Sequence, residues 1–272
     1  LCGFDNIKVI NNKVHRAKKN LGQNFLEDRM VLQEIIDSIK PNKKDSFLEI
    51  GPGKGSLTEL ITGCVETLDA VELDRDLILG LRLLAQKEDN LTIHKGDILD
   101  FDIVKNLKPK KKLRVIGNLP YNISSSIMLW SFLNQDKFVD LHYMFQKEFG
   151  QRLSSDTGTK SYGRLSILTQ YMAKVSNLFI VNPESFKPAP AVESIFIKLV
   201  PIPGRDLNSP IAKKLQEITR IAFSKRRKML SKSYKDILGK EDFEYLNIES
   251  SQRPEDLTVE DFLKISNLLI QA

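Results

Sequence analysis

A chain of 272 residues, with 41% hydrophobic residues, 28% charged residues and a net charge of +6, has room for one large α/β domain and a small appendage. It holds no run of about 18 apolar residues and starts on a basic, polar stretch, so neither a membrane span nor a secretory leader is expected. Cys2 and Cys64 are too few for a disulfide framework and share no metal-type spacing with a histidine, which fits a cytoplasmic protein without a bound metal.

Residues 1–20 have no clear periodicity and read as a basic arm. Organisation begins at Leu21-Gly22-Gln23-Asn24-Phe25-Leu26. From there Met30, Val31, Ile35, Ile36 and Ile39 recur at helical spacing, with Asp28 as N-cap and Pro41-Asn42 as a stop. Short apolar runs then alternate with helical segments. Strands are expected at Phe47–Ile50, Thr67–Leu73, Leu91–His94, Leu113–Ile116 and Leu141–Phe145, with helices from Leu57 and over Leu77–Leu84. This alternation predicts a doubly wound, mostly parallel sheet whose ligands lie outside the carboxyl ends of the strands. Asn177–Val181 and Ser194–Val200 flank the proline-rich Phe186–Pro190 and read as an antiparallel edge. Pro201–Gly204 breaks the pattern. Beyond it, Ile211, Leu215, Ile218 and Ala222 form one helical stripe and Val259–Leu269 another, so residues 1–204 are expected to be one domain and 205–272 a small all-helical one. Ten Lys and Arg against two acids fall between Ile211 and Lys240. That concentration suits either a phosphate-binding surface or a solvated helix face.

Gly51-Pro52-Gly53-Lys54-Gly55 closes the first of these strands. Such a turn brings backbone close to a ligand and a helix N-terminus beside it, and it serves a dinucleotide, a methyl donor or merely a tight turn. Its Gly-x-Gly-x-Gly spacing differs from the G-x-G-x-x-G of dinucleotide binders, and Glu49 lies in the strand before it. Glu72 ends the second strand, where a carboxylate can take both ribose hydroxyls. Asp97 ends the third, where it can accept from an adenine amino group. Either acid alone reads as a surface residue. Two acids closing successive strands after a glycine turn converge on one crevice and predict an adenosine-containing cofactor.

Asn118-Leu119-Pro120-Tyr121 closes the fourth strand and faces the same crevice. The lone pair of an adenine N6 is delocalised into the ring, so methylating it requires acceptors for the amino hydrogens. The Asn118 side-chain oxygen and the Leu119 carbonyl are two such acceptors, Pro120 fixes φ, and Tyr121 offers a stacking face. In isolation the segment is only a proline turn at a strand end. Phe186 is either a second wall for the base or a core residue leading into a rigid loop. No strong base is needed, and His15, His94 and His142 read as structural or exposed. The acids Asp74, Asp76, Asp100 and Asp102 read as residues of solvated loops.

Taken together, these residues resemble the bacterial small-subunit (16S) ribosomal RNA adenine N6,N6-dimethyltransferases, a group of class I, S-adenosyl-L-methionine-dependent enzymes with a Rossmann-like fold. The likeness runs from about Val14 to the C-terminus. It includes Leu21–Leu26, Glu49–Gly53, Val71–Asp74, Gly117–Asn122, Gln146-Lys147-Glu148, Tyr162–Ser166, the Phe186 loop into Val192-Glu193-Ser194, and Ala222-Phe223 through Arg226-Arg227-Lys228. Ala189 and Glu193 depart from the commoner residues of the group. The resemblance implies dimethylation of two adjacent adenosines near the 3′ end of the RNA, within an immature 30S subunit, by a cytoplasmic monomer. Carried over by position, Asn24, Leu26, Gly51, Gly53, Glu72, Asp97 and Asn118 contact the cofactor. Asn118, Leu119, Tyr121 and Phe186 hold the base, and Arg226, Arg227 and Lys228 meet rRNA phosphates. The large-subunit (23S) adenine methyltransferases of macrolide resistance share the cofactor and Asn-x-Pro-Tyr signals. A non-catalytic RNA-binding assembly factor on the same fold is the alternative from another class, and a dehydrogenase is disfavoured by the glycine spacing.

Overall fold

A strand followed by a helical crossover returns the chain in its original direction, and repeated crossovers build a parallel sheet. The computed structural model describes residues 17–18 and 21–271; Cys2, His15 and most of the basic arm expected over 1–20 lie outside the described residues. The two-residue strand β1 (Phe25–Leu26) is followed by α1 (Arg29–Ile39). The Asp28 carboxylate caps α1 as expected, accepting from the N–H groups of Met30 and Val31 at 2.9 and 3.3 Å. Then come β2 (Ser46–Ile50), α2 (Ser56–Thr62), β3 (Thr67–Glu72), α3 (Arg75–Ala85), β4 (Leu91–Lys95), α4 (Ile103–Leu107), β5 (Leu113–Asn118), α5 (Ser124–Leu133) and β6 (Phe138–Gln146).

β4, β3, β2, β5 and β6 lie side by side in that order, each parallel to its neighbour. Their central residues are sealed on both faces: Phe47, Leu48, Leu68, Ala70, Val115 and Ile116 are all fully buried. The order reverses between β2 and β5, which opens a crevice at their carboxyl ends. α5 was not legible from spacing because Ile127, Met128, Trp130 and Phe132 make it apolar around most of its circumference.

The rest of the chain comprises α6 (Lys147–Leu153), α7 (Arg164–Met172), β7 (Ala173–Val181), β8 (Phe186–Lys187), β9 (Ser194–Pro201), α8 (Pro210–Ser224), α9 (Leu230–Ser233), α10 (Lys240–Leu246) and α11 (Val259–Gln271). β9 joins β6 antiparallel and β7 lies beyond it, the antiparallel edge that was expected. β8 instead pairs with β1 in a separate ladder, with Phe186 opposite Leu26.

The chain divides into two compact units. One holds the residues up to Lys147 together with Asn177–Leu199; the other holds Glu148–Ser176 and the residues from Val200 on. The second unit thus includes α6 and α7 besides the stretch expected from 205, because α7 packs on α8 and α11. The apolar stripe of α8 (Ala212, Leu215, Ile218, Ala222) is buried there, as are Phe262 and Ile265 of α11.

Gly117 is the most crowded of the described glycines. A Cβ on it would stand 2.7 Å from Leu119 Cδ2 and 3.0 Å from the Ile50 carbonyl oxygen. Gly117→Ala should therefore lower unfolding stability by about 1–3 kcal/mol, the usual range for overpacking a buried site, which a shifted midpoint in urea denaturation would register.

Candidate functional site

The crevice at the β2–β5 reversal is a cavity. Asn24, Leu26, Gly51, Gly53, Glu72, Asp97, Asn118, Leu119 and Tyr121 all line it, so the structure gathers the residues expected for the cofactor and, but for one, those expected for the base in one place. Phe186 does not line it.

Glycine is required in the first turn for conformational reasons. Gly51 and Gly53 sit at φ +67° and +60°, and a Cβ on Gly51 would project into open space, leaving its backbone accessible from the cavity. Gly53 donates its N–H to Glu72 Oε2 at 3.0 Å, while the Asp74 N–H donates to Oε1 at 2.7 Å. Each carboxylate oxygen keeps a lone pair for a further donor. Burial raises the Glu72 pKa, and these N–H bonds oppose that rise without cancelling it. Asp97 is half-buried; its Oδ1 accepts the Leu99 N–H at 2.9 Å, leaving Oδ2. Between the acids stand apolar walls that sequence reasoning missed: Leu73, half exposed although large and apolar, with Leu77 and Ile98. No periodicity marks them, because they follow strand ends. A flat aromatic base between apolar walls, its polar edge on Asp97 and its sugar on Glu72, fits this donor and acceptor set.

Glu49 belongs to the same cavity but is fully buried, accepting one hydrogen bond from Thr58 Oγ1 at 2.7 Å. Burial, with help from the nearby Glu72, pushes its pKa up to about 7.

At the end of β5, the Asn118 side chain donates from Nδ2 to the Asn24 carbonyl at 3.0 Å. Among the described residues its oxygen accepts no hydrogen bond. Leu119 is buried, and Tyr121 is half-buried with its hydroxyl 2.6 Å from Ser194 Oγ, a contact that fixes the ring. The Phe186 ring is only 2% exposed, packed with Leu26 and Ile36 in the hydrophobic core. Of its two expected roles the structure displays the core residue.

Of the acids expected on solvated loops, Asp76, Asp100 and Asp102 are exposed and Asp74 is not. Asp74 is not on a solvated loop: it is buried, caps α3, and binds Lys18 and Gln23. Asp102 caps α4. His94 pairs with Asp69 at 2.7 Å, and His142 is buried in β6 with its pKa lowered by burial to about 4, so both are structural.

In the second unit, Arg227 and Lys228 are exposed. Arg226 is tied down: its guanidinium donates to Glu255 and to the Thr159 carbonyl, each at 3.3 Å.

The family model described as ribosomal RNA adenine dimethylase matches residues 14–271. The chain is 44% identical to the ribosomal RNA small subunit methyltransferase A of a Marinomonas species, covering 94% of this chain and 97% of that protein. It is 43% identical to the protein of the same name from Coxiella burnetii, covering 93% and 97%. Among solved structures, a dimethyladenosine transferase from Plasmodium falciparum superposes with a TM-score of 0.77 at 27% identity, covering 88% of this chain and 95% of that one. The 23S rRNA methyltransferase ErmE superposes with a TM-score of 0.71 at 22% identity, covering 91% and 100%, which is a likeness of fold.

The Glu49 carboxyl sets a pH dependence. Its pKa is higher in the folded protein than in the unfolded chain, so its contribution to stability is fully present below about pH 4.5 and is lost as pH rises through about 7. Glu49→Gln keeps an acceptor for Thr58 and cannot ionise. Relative to this variant, wild type should lose on the order of 3 kcal/mol between pH 4.5 and 7.5, and parallel stability–pH curves for the two proteins would contradict the burial effect.

Proposed function

The chain belongs to the ribosomal RNA adenine dimethylase family, and from that membership we propose how its cavity carries out methyl transfer and on which particle. Its activity is that of an S-adenosyl-L-methionine-dependent class I methyltransferase that dimethylates adenine N6 in small-subunit ribosomal RNA. We propose that the substrate is the RNA within the immature 30S subunit and that the enzyme acts as a cytoplasmic monomer. Among the described residues, no helix is long and apolar enough to cross a membrane.

In this reading Glu72 takes the ribose hydroxyls of the cofactor and Asp97 its adenine amino group. Leu73 and Ile98 flank that base, and the backbone at Gly51 and Gly53 passes along the chain to the sulfur, with Asn24 and Leu26 above. When bound, the cofactor supplies an electrophilic methyl group on a sulfonium. The acidic lining of Glu72 and Asp97 suits a cationic ligand, because the only lysine at the cavity among the described residues, Lys54, is paired with Glu27 at 2.7 Å.

The observation that carries the chemistry is the single bond of the Asn118 amide. With Nδ2 committed to the Asn24 carbonyl, the oxygen is left as an acceptor at the end of β5. Asn118 Oδ1 and the Leu119 carbonyl accept the two amino hydrogens of the target adenosine. This draws the N6 lone pair out of conjugation and aims it along the line of transfer. Tyr121, held by Ser194, stacks on the unpaired base. The proton leaves to solvent after transfer. Phe186 serves from the core: paired with Leu26, it braces the segment above the cofactor and does not face the base. The helical second unit offers Arg227 and Lys228 to phosphates.

Asn118→Ala should reduce kcat by about 100-fold or more, as removal of a positioned polar group does, while S-adenosylhomocysteine binding changes by less than about tenfold. Retained turnover would remove Asn118 from the chemistry. With labelled cofactor, methyl groups should accumulate in small-subunit RNA of immature particles; label chiefly in large-subunit RNA would favour the macrolide-resistance type. Arg227→Ala with Lys228→Ala should reduce the log–log salt slope of subunit binding by about 0.7–0.9 per lost contact, and an unchanged slope would place these side chains away from RNA.

A further inference from the structure

The segment Leu21–Leu26 touches residues at the carboxyl ends of three strands. The Phe25 ring lies over the glycine turn after β2, so close that a Cβ on Gly53 would stand 3.0 Å from it. Gln23 Nε2 donates to Asp74 Oδ2, just past β3, at 2.7 Å. The Asn24 carbonyl accepts from Asn118 at the end of β5 at 3.0 Å. The segment therefore forms a strap across the cavity, and it is pinned at two points. Its C-terminal end is held by the β1–β8 ladder and by the Glu27 N–H donating to the Ser185 carbonyl at 3.0 Å. Its N-terminal end is held by a clasp on Asp74. Lys18 Nζ lies 2.5 Å from Asp74 Oδ1 and 2.6 Å from Asp76, and the Lys18 N–H donates to Gln23 Oε1 at 2.8 Å. The Asp74 side chain is completely buried. Burial alone would raise its pKa, yet the bonds from Lys18 and Gln23 hold it below the ordinary range.

We propose that Lys18, Gln23 and Asp74 are positioning residues for methyl transfer: by clasping the strap they keep the Asn24 carbonyl where it sets the orientation of the Asn118 amide. This rests on the role given to Asn118 above. An Asn side chain has a donor end and an acceptor end, interchanged by half a turn of its terminal torsion. The turned form would present an NH2 group to the substrate amine, two donors face to face, with the Leu119 carbonyl left as the lone acceptor of the pair. A carbonyl beside the amide selects one orientation because only Nδ2 can donate to it. The selection holds only while that carbonyl stays in place. Asn24 lies next to Gln23, and short segments fixed at one end open readily on their own. The Asp74 N–H also donates to Glu72, so the residue that anchors the strap also supports the carboxylate assigned to the ribose. Cofactor retention and amide orientation thereby depend on one buried carboxylate.

The test uses the whole chain with Lys18→Met and Gln23→Leu combined, which leaves Asp74 to cap α3. S-adenosylhomocysteine dissociation is followed by stopped flow, turnover with saturating cofactor and small-subunit particles, and unfolding by thermal melting. The double variant should release S-adenosylhomocysteine about tenfold faster and lose about tenfold in kcat, the scale of a lost charge-assisted contact. Its KM for the particle should stay within about twofold, since RNA contacts are untouched. Lys18→Arg, which keeps the ion pair, should retain wild-type values. Gln23→Leu alone, the milder change, should show the same pattern at roughly threefold. Dissociation and kcat within about twofold of wild type in the double variant would overturn the clasp. So would a kcat that falls only in step with a loss of folded protein. A wild-type protein that binds no S-adenosylhomocysteine, or leaves small-subunit RNA unmethylated, would instead overturn the underlying assignment of function.

Discussion

The site depends on one register: Ile50 of β2 opposite Gly117 of β5. Gly51 follows the first and Asn118 the second, so this pairing sets the turn proposed for the cofactor and the amide proposed for the reaction side by side. The approach at that point crowds any side chain at position 117, as a Cβ there would stand 3.0 Å from the Ile50 carbonyl oxygen and 2.7 Å from Leu119 Cδ2. Parallel neighbours also end in the same direction, which sends Glu72, Gly96-Asp97 and Asn118 to one end of the sheet. A slip of one residue would turn Asn118 to the opposite face and separate it from Asn24. The chemistry is thus a consequence of strand pairing before it is a property of any side chain.

Much of this was legible in the sequence. The five parallel strands and the antiparallel edge follow from apolar runs and turn residues, and Asp28 caps α1 as its position indicates. The cavity acids were legible because they sit at the ends of strands, where topology alone sends them inward. What escaped detection depends on contacts distant in the chain. α5 has no polar face to reveal its period. Phe186 and Leu26 are 160 positions apart, so their pairing leaves no local trace. Asp74 illustrates the limit best. Two residues beyond a strand, beside other acids, it has the composition of a solvated loop, and only the return of Lys18 and Gln23 makes it a buried anchor. The change of unit falls at Leu199–Val200, just before the break at Pro201–Gly204, and spacing could not show that α7 packs with α8 and α11.

Electrostatics separates the two buried acids of the cavity. Burial raises the cost of ionising both Glu49 and Glu72, Glu72 adds to that cost at Glu49, and the chain answers differently at each. Glu72 has two backbone N–H donors within 3.0 Å, groups that stabilise a carboxylate. Glu49 has one hydroxyl, which can also accept from a protonated acid, and it titrates near 7. Glu49 is therefore only partly ionised at neutral pH, and the pair carries less than its full double charge. A cationic ligand meets an attractive cavity that does not repel itself apart in its absence.

An amine whose lone pair is delocalised gains little from a strong base, because its proton becomes acidic only after the new bond forms. What the site can contribute is orientation, and orientation must come from groups whose own positions are fixed. The groups gathered at the end of β5 are of that kind. Two are main-chain carbonyls, of Asn24 and Leu119; the third is an amide whose two ends are told apart by the first of those carbonyls. Tyr121 is held through Ser194 and so presents a ring in one place. None of these groups titrates near neutrality, so their arrangement is insensitive to pH across the range in which Glu49 ionises. Any pH effect entering through Glu49 should therefore act on the cofactor side of the cavity, where Glu49 lies beside Glu72, and leave the acceptors for the amine unchanged.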